Sequence, residues 1–472
     1  MSRVVIVSNR VAVPKGGAAA GGLAVALLGA MREGGGLWFG WGGETHPAET
    51  PQPPADTQLR DGSSFVTISI PAALHERYYD GFANGTLWPL FHYFVDSFRY
   101  QDDHYDAYLA VNALFARELA PLLLSEDLIW VHDYHLIPLA ARLRAQGVRT
   151  PIGFFLHIPF PTFEVLRALP VHREILDALL GYDLLGFQTE TDRQAFLGAV
   201  RAVYGADRVS AGAVVRTAER LVRTGVYPVG VDLEATARSA AKTVASGQVR
   251  NMTKGLVGRR LIIGVDRLDY SKGLLERFDA YQQFLEECPQ HRGKVTYLQI
   301  APLGRQNVRA YARMRRALEQ SAGSINGRFA EVDWTPIRYL NRSFSHPTLL
   351  GFLRLAQACL VTPLRDGMNL VAKEFIAAQD PANPGVLVLS DRAGAANEMT
   401  DALIVNPYDR RGIARALKQA LDMPLEERRD RHAKLLAALR ENDIHAWRAR
   451  FVANLGGAPD QARLEYAARQ AH

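Results

Sequence analysis

The sequence predicts an α/β protein of two domains, each built around a parallel sheet, and three observations carry that prediction. The chain has 472 residues, more than a single hydrophobic core organises well. Apolar runs of strand length alternate with stretches of helical spacing from the N-terminus to about residue 230. A second strand–loop–helix series opens at residues 259–274, RRLIIGVDRLDYSKGL, after YPVGVD (227–232), which reads as a hinge between domains.

Residues 3–8 (RVVIVS) form a buried first strand with SNR at its end, and a Gly/Ala-rich loop then closes on Gly21-Gly22-Leu23 before an apolar helix. Strand, glycine loop and helix make the opening of a nucleotide-type unit, although the spacing is not GxGxxG and glycines also serve plain tight packing. LWFGWGG (37–43) reads as a short strand and turn, residues 45–62 as a polar, proline-rich surface loop, and FVTISI (65–70) as a strand. Tyr78-Tyr79 and Leu87-Trp88-Pro89 bring aromatics into loop-like sequence, where they line a sugar site or serve the core. Residues 106–124 read as an amphipathic helix. Strands follow at DLIWVHD (127–133), IGFFLHIPFP (152–161) and DLLGFQT (183–189), the last leading into a long helix through Tyr204. His132 and His135 have neither a third ligand nor an HExxH frame, so Asp133 at a strand's carboxyl end is the better candidate for hydrogen bonding. His157 sits at the next strand mouth, where a satisfied core histidine is the default.

In the second half, LIIGV is a buried strand, Arg267 and Lys272 occupy the loop, and Gly273 leads into LLERFDAYQQFLEE. Two cations at such a turn can hold a diphosphate, Arg as a fork and Lys as a point charge; the pattern is not Walker A. VTYLQIAPLGR (295–305) is the next strand, with Arg305 beyond its end. GVLVLS (385–390) and ALIVNPYD (402–409) follow the central motif, and residues 424–455 read as a charged helical run exposed on one face.

That central motif is TPLRDGMNLVAKE (362–374). It runs from the apolar strand ACLVT through an Asp366-Gly367 turn into a helix starting near Leu370. The free N–H groups and dipole of such a helix suit a diphosphate. Glu374, one turn in, could accept two hydroxyl bonds as a ribose presents them, and Asp366 could do so for a sugar. The same residues also fit an ordinary strand–helix connection.

Composition narrows the class. Hydrophobic residues make up 48%, ordinary for a globular protein, and no apolar run approaches the roughly 20 residues of a membrane span. VVIVSNR is broken by Asn9 and Arg10 too early for a signal peptide. Cys288 and Cys359 lie outside any CxxC or Cys/His pattern, which argues for a reducing cytoplasm and against a disulfide framework. The net charge of +6 is mild and scattered, suiting small anionic substrates rather than nucleic acid or a membrane surface.

Taken together, SNR (8–10), GGL (21–23), WFGW (38–41), LWP (87–89), WVHDYHL (130–136), FFLHIPFP (154–161), LLGFQT (184–189), RLDYSKG (267–273) and PLRDGMNLVAKE (363–374) stand in an order that resembles the trehalose-6-phosphate synthase family. The resemblance runs to about residue 445. It implies two Rossmann-like domains in the GT-B glycosyltransferase architecture, with the active site in the interdomain cleft. Residues 1–230 would form the acceptor side, joined by the C-terminal helix from about 450, and 231–450 the donor side. The implied activity is retaining transfer of glucose from UDP-glucose to glucose 6-phosphate, giving α,α-trehalose 6-phosphate and UDP.

Carried over motif by motif, the donor side takes Gly22, Arg267 and Lys272, Asp366 and His157 towards the transferred glucose, Asn369 with Leu370, Val371, Ala372 and Lys373 at the helix start, Glu374 on the ribose, and Phe344 with Leu370 near the uracil. The acceptor side takes Arg10 and Arg305 on the 6-phosphate, with Tyr79, Trp88 and Asp133. Asp366, Arg267, Lys272 and His157 form the catalytic set. No pair of hydrolase-type carboxylates stands out, in keeping with a front-face mechanism in which the leaving diphosphate is the base. No metal and no cofactor are implied. The departures, Tyr105 where relatives often have Trp and a poorly matching 44–63 loop, touch none of these residues. A related glycosyltransferase with another phosphorylated acceptor, such as a glucosylglycerol-phosphate synthase, or with ADP or GDP as carrier, stays open, as do a non-catalytic sugar-phosphate sensor and a homo-oligomeric state.

Overall fold

The protein is described from a computed structural model, covering residues 2–11, 13, 27, 36–60, 62–304 and 309–457. The chain divides into two compact units, one running to Pro228 and resuming at His445, the other holding Val229–Ile444. No helix among the described residues is long and apolar enough to cross a membrane.

The first unit is organised on a sheet whose described strands run in the order β3-β4-β2-β1-β5-β6-β7-β9-β8. These are β1 Val4–Arg10, β2 Gly36–His46, β3 Asp56–Arg60, β4 Ser63–Pro71, β5 Leu128–His132, β6 Ile152–Phe155, β7 Leu184–Phe187, β8 Val214–Arg216 and β9 Leu221–Val226. The central strands are parallel, Val5 opposite both Leu37 and Ile129, and their residues are almost wholly buried. Such near-continuous apolar runs are what a parallel sheet covered on both faces requires. Arg3 ties the starts of β1 and β5 together by a two-pronged bond to Asp127 (2.8 and 2.7 Å).

The helix Ile444–Gly456 brings the chain back to this unit and buries Trp447, Phe451 and Leu455 completely. The Phe451 ring stacks on Trp130 with centroids 4.5 Å apart. Gly153 and Gly186 make room for it, since a Cβ at either would lie 2.9 or 2.8 Å from the Phe451 ring. A residue this large contributes roughly 1.5–3 kcal/mol when fully buried.

The second unit carries a parallel sheet with the described order β12-β11-β10-β13-β14-β15: β10 Arg260–Val265, β11 Val295–Ile300, β12 Ile337–Leu340, β13 Ala358–Val361, β14 Val386–Ser390 and β15 Leu403–Val405. Helices Leu274–Glu287 and Arg410–Asp422 bury Phe278, Tyr281, Ile413 and Leu417 against Ile262, Leu360 and Val388.

Several expectations need correction. The first strand continues through Asn9 and Arg10 rather than ending before SNR. Residues 37–43 belong to an 11-residue strand, and the expected surface loop contains β3, an antiparallel edge strand. The segment holding Tyr79 and Trp88 is helical, with an α turn at Ala72–His75, a π-helical stretch Glu76–Leu87 and a second α turn Trp88–Phe91. The charged C-terminal run is two helices, Leu425–Glu441 and Ile444–Gly456, and the second is a core element.

Candidate active site

In the second unit, the loops after β10 and β13 meet at the carboxyl ends of neighbouring strands. Leu364 N–H donates to the Ser271 carbonyl (2.7 Å). Gly273 takes φ +62°, and a Cβ there would lie 2.5 Å from the Thr362 carbonyl oxygen. Glycine is therefore required twice over at this contact, by conformation and by space. The approach brings Lys272 Nζ to 2.5 Å from Asp366 Oδ2, with the two side chains 10% and 13% exposed. Arg267 is exposed on the same loop.

The turn after Asp366 is fixed by Asn369, the residue with the left-handed backbone here (φ 76°). Its side chain accepts from Ala372 N–H (3.3 Å) and donates to Asp366 Oδ2 (3.1 Å). One helix-terminal donor is thus capped from within, and Leu370 and Val371 carry the earlier N–H groups. Asp366 N–H donates to the Arg392 carbonyl and Gly394 N–H to the Asp366 carbonyl, lacing this turn to the loop after β14.

Within the helix Leu370–Ala378, Lys373 is fully buried and donates to Glu398 (2.5 Å) and to the Val229 carbonyl (2.8 Å). Its ammonium is committed to that pair, so what Lys373 has to offer a ligand is its backbone. Glu374 Oε1 lies 2.9 Å from His346 Nε2, and that carboxylate raises the His346 imidazole above its usual value. Phe344 is half-buried against Phe352, under the Arg342 guanidinium.

Beneath the Lys272 loop, Arg277 is fully buried. It donates to Asp266 (2.6 Å), Gln299 (3.0 Å), Thr362 (3.0 Å) and the Lys272 carbonyl (3.2 Å). Burial pushes the Asp266 carboxyl up against the pull of Arg277. Sequence reading passed over Arg277 because one arginine in an amphipathic helix carries no signal of burial; His346 likewise stood outside every motif.

In the first unit, Ser8 and Asn9 are structural. Trp38 Nε1 donates to Ser8 Oγ (2.8 Å) and Tyr78 Oη to Asn9 Oδ1 (2.7 Å). Arg10 is left exposed, its guanidinium 5.2 Å from the Trp41 ring centre. Gly43 has φ +99°, and a Cβ there would lie 2.5 Å from Arg10 Nη2. Tyr79 belongs to an aromatic ladder, Trp41–His75–Tyr79–His135, with successive centroids 4.3, 5.2 and 5.7 Å apart. Trp88 is only 4% exposed and packs on His92 and Tyr134.

Asp133 has φ 75° and ψ 164°, a region nearly reserved for glycine and costing about 1–3 kcal/mol. Its carboxylate accepts from His157 N–H (3.2 Å). His157 Nε2 lies 3.0 Å from His132 Nδ1, and burial pushes the His157 imidazole down to about 3. The structure thus groups Lys272, Asp366, Asn369 and the helix start in one unit, and Asp133 with His157 in the other. Gly22 and Arg305 lie outside the described residues.

Among the described residues no group of three His, Cys, Asp or Glu side chains is placed to hold a metal ion. A cavity of about 470 Å³ lined by Arg144, Tyr204 and Arg220 holds none of the expected site residues.

A model of glycosyltransferase family 20 matches residues 8–456. The trehalose-6-phosphate synthase of Klebsiella pneumoniae is 50% identical over 463 residues, 96% of this chain and 95% of that protein. An α,α-trehalose-phosphate synthase (UDP-forming) from Burkholderia xenovorans, solved in complex with glucose-6-phosphate, is similar at a TM-score of 0.93 and 49% identity, covering 97% of this chain and 100% of that one. An E. coli structure described as trehalose-6-phosphate bound with UDP-2-fluoro glucose is similar at a TM-score of 0.88 and 47% identity, covering 97% of this chain and 99% of the other.

Proposed function

The chain belongs to glycosyltransferase family 20, and on that premise we propose that it moves glucose from UDP-glucose to glucose 6-phosphate, forming α,α-trehalose 6-phosphate and UDP. The observation that carries the reading is near-full-length identity of about half to synthases of this name.

In this reading the second unit takes the donor. Lys272 and Arg267, with the N–H groups of Leu370 and Val371, neutralise charge growing on the departing diphosphate. Asp366 and His157 hold hydroxyls of the transferred glucose, Glu374 takes the ribose, and Phe344 with Leu370 flanks the base. Gly22 belongs to the same donor set. The first unit takes the acceptor, with Arg10 and Arg305 on its phosphate and Tyr79, Trp88 and Asp133 around the sugar. Two arginines on one phosphate would make free glucose a poor acceptor, because both charges would then lack their partner.

The leaving phosphate accepts the proton of the incoming hydroxyl on the face it departs from, which retains the α configuration. The protein's part is to position the two sugars and stabilise charge. Every residue in these roles comes from the chain itself, so activity should persist in chelator; complete loss restored by Mg²⁺ alone would refute that. The two buried, free cysteines support a cytoplasmic location.

The test is a donor-by-acceptor screen of purified protein, with UDP-, ADP- and GDP-glucose against glucose 6-phosphate and other phosphorylated acceptors, and the product identified by NMR. The α,α-linked phosphodisaccharide from UDP-glucose and glucose 6-phosphate is expected as the main product. A faster reaction with another acceptor would replace this reading with that of a related synthase.

A further inference from the structure

His132 and His157 are joined by one ring-to-ring hydrogen bond. His132 ends β5 with no exposure, and its Nδ1 lies 3.0 Å from His157 Nε2. Burial lowers both imidazoles, His132 well below its usual value, so both are neutral near pH 7. Only two arrangements satisfy the contact. Either His132 Nδ1–H donates and the proton of His157 sits on its own Nδ1, or His157 Nε2–H donates and His132 carries its proton on Nε2.

The surroundings of His132 separate the two. Its ring lies among Trp130 (4.6 Å), Trp447 (6.2 Å) and Phe155 (6.4 Å). Its Nε2 is buried with no hydrogen-bond partner among the described residues, and so are the indole nitrogens of Trp130 and Trp447. An indole nitrogen is a donor only. A proton on His132 Nε2 would add a third unmet donor to a cluster that already has two, at about 1–3 kcal/mol. A lone pair there is an unmet acceptor instead, and with two indole N–H donors on the neighbouring rings an acceptor is favoured over a third donor.

We propose that His132 is a positioning residue that fixes His157 in the tautomer protonated on Nδ1, so that His157 offers an N–H donor to a sugar hydroxyl oxygen. The catalytic meaning rests on the reading that His157 contacts the transferred glucose, whereas the tautomer is a property of the free protein. Trp447 gives the helix Ile444–Gly456 a part in this arrangement, since its ring closes over His132 (6.2 Å) and His157 (6.3 Å).

Side-chain ¹⁵N NMR of histidine-labelled full-length protein tests it, with His157 assigned by the signals lost in His157→Gln. The expected spectrum shows His157 protonated on Nδ1 and bare on Nε2; a protonated Nε2 overturns the proposal. This arm uses the unaltered chain, so a variant that fails to fold does not affect it. In kinetics, His132→Leu should lower kcat for glucosyl transfer about threefold to tenfold, the worth of one hydrogen bond, with little change in KM for glucose 6-phosphate. His132→Asn, whose amide can donate from the Nδ1 position, should recover most of the loss. Equal losses in the Leu and Asn variants, with native melting, would also overturn it. Absence of any glucosyl transfer by the wild type would defeat the functional reading while the NMR result still decided the tautomer.

Discussion

Replacing Lys272 by alanine removes the cation that sits 2.5 Å from Asp366 in a contact only 10% and 13% exposed. The charge is lost from partly desolvated surroundings, where a donor aimed at developing charge contributes far more than it would in water. Removing one such donor costs roughly 10²–10³ in turnover, about 2.7–4 kcal/mol. Asp366 keeps its bond from Asn369 Nδ2, so its carboxylate stays near its place and the defect should fall on kcat more than on binding. UDP release is measured with both substrates saturating, then with each varied, beside a thermal melt. Lys272→Ala/Asp366→Asn separates the two roles: if Lys272 served only to neutralise Asp366, the double variant would be no slower than Asp366→Asn alone. A Lys272→Ala enzyme with native melting and kcat within about fivefold of wild type would refute the charge-stabilising role.

Three further outcomes are expected. Gly43→Ala must place a Cβ against Arg10 Nη2 at a φ of +99°, so KM for glucose 6-phosphate should rise severalfold while donor KM holds; an unchanged acceptor KM would detach Arg10 from the phosphate. His346 is raised above 6.5, chiefly by its hydrogen bond to Glu374, so the stabilisation is complete below the unfolded value and lost as pH climbs through the raised one. The melting temperature of wild type over His346→Gln should therefore widen as pH falls from about 8 to about 6, and a constant gap would count against the pair. Arg277→Met leaves the Asp266 carboxylate buried without its guanidinium, a loss of about 3–5 kcal/mol. Urea unfolding followed by fluorotryptophan NMR at Trp334, the one tryptophan between residues 229 and 444, reads it. A loss under about 1 kcal/mol would show that Asp266 is protonated or rehydrated instead.

The parallel strands were legible because both faces are covered, so each is a short uninterrupted apolar run such as ACLV or LIIGV. The turn after β13 was legible because its chemistry is local, although its left-handed residue is Asn369 rather than the glycine two places before it. The helical segment from Ala72 to Phe91 was not. The sequence around Tyr78-Tyr79 and Leu87-Trp88-Pro89 reads as loop-like, but Gly81 is there because a Cβ would meet the His104 ring at 2.6 Å, and burial of Tyr78, Phe82 and Leu87 outweighs weak helix propensity. β3 was missed because an exposed edge strand, DTQLR, has no apolar alternation to display. In the site, motif residues named their own neighbourhoods; the supports from outside any motif, Arg277, His346, Gly43 and His75, became visible only when distant segments were brought together.

The return of the chain at His445 has a consequence for biosynthesis. A ribosome exposes the strands of the first unit early but must finish more than two hundred further residues before Trp447, Phe451 and Leu455 emerge to cover Trp130, Gly153 and Gly186. Until then the apolar patch around Trp130, Gly153 and Gly186 stands open. Nascent chains arrested before residue 445 should therefore be the aggregation-prone, chaperone-dependent species, and releasing only the last helix should cure them.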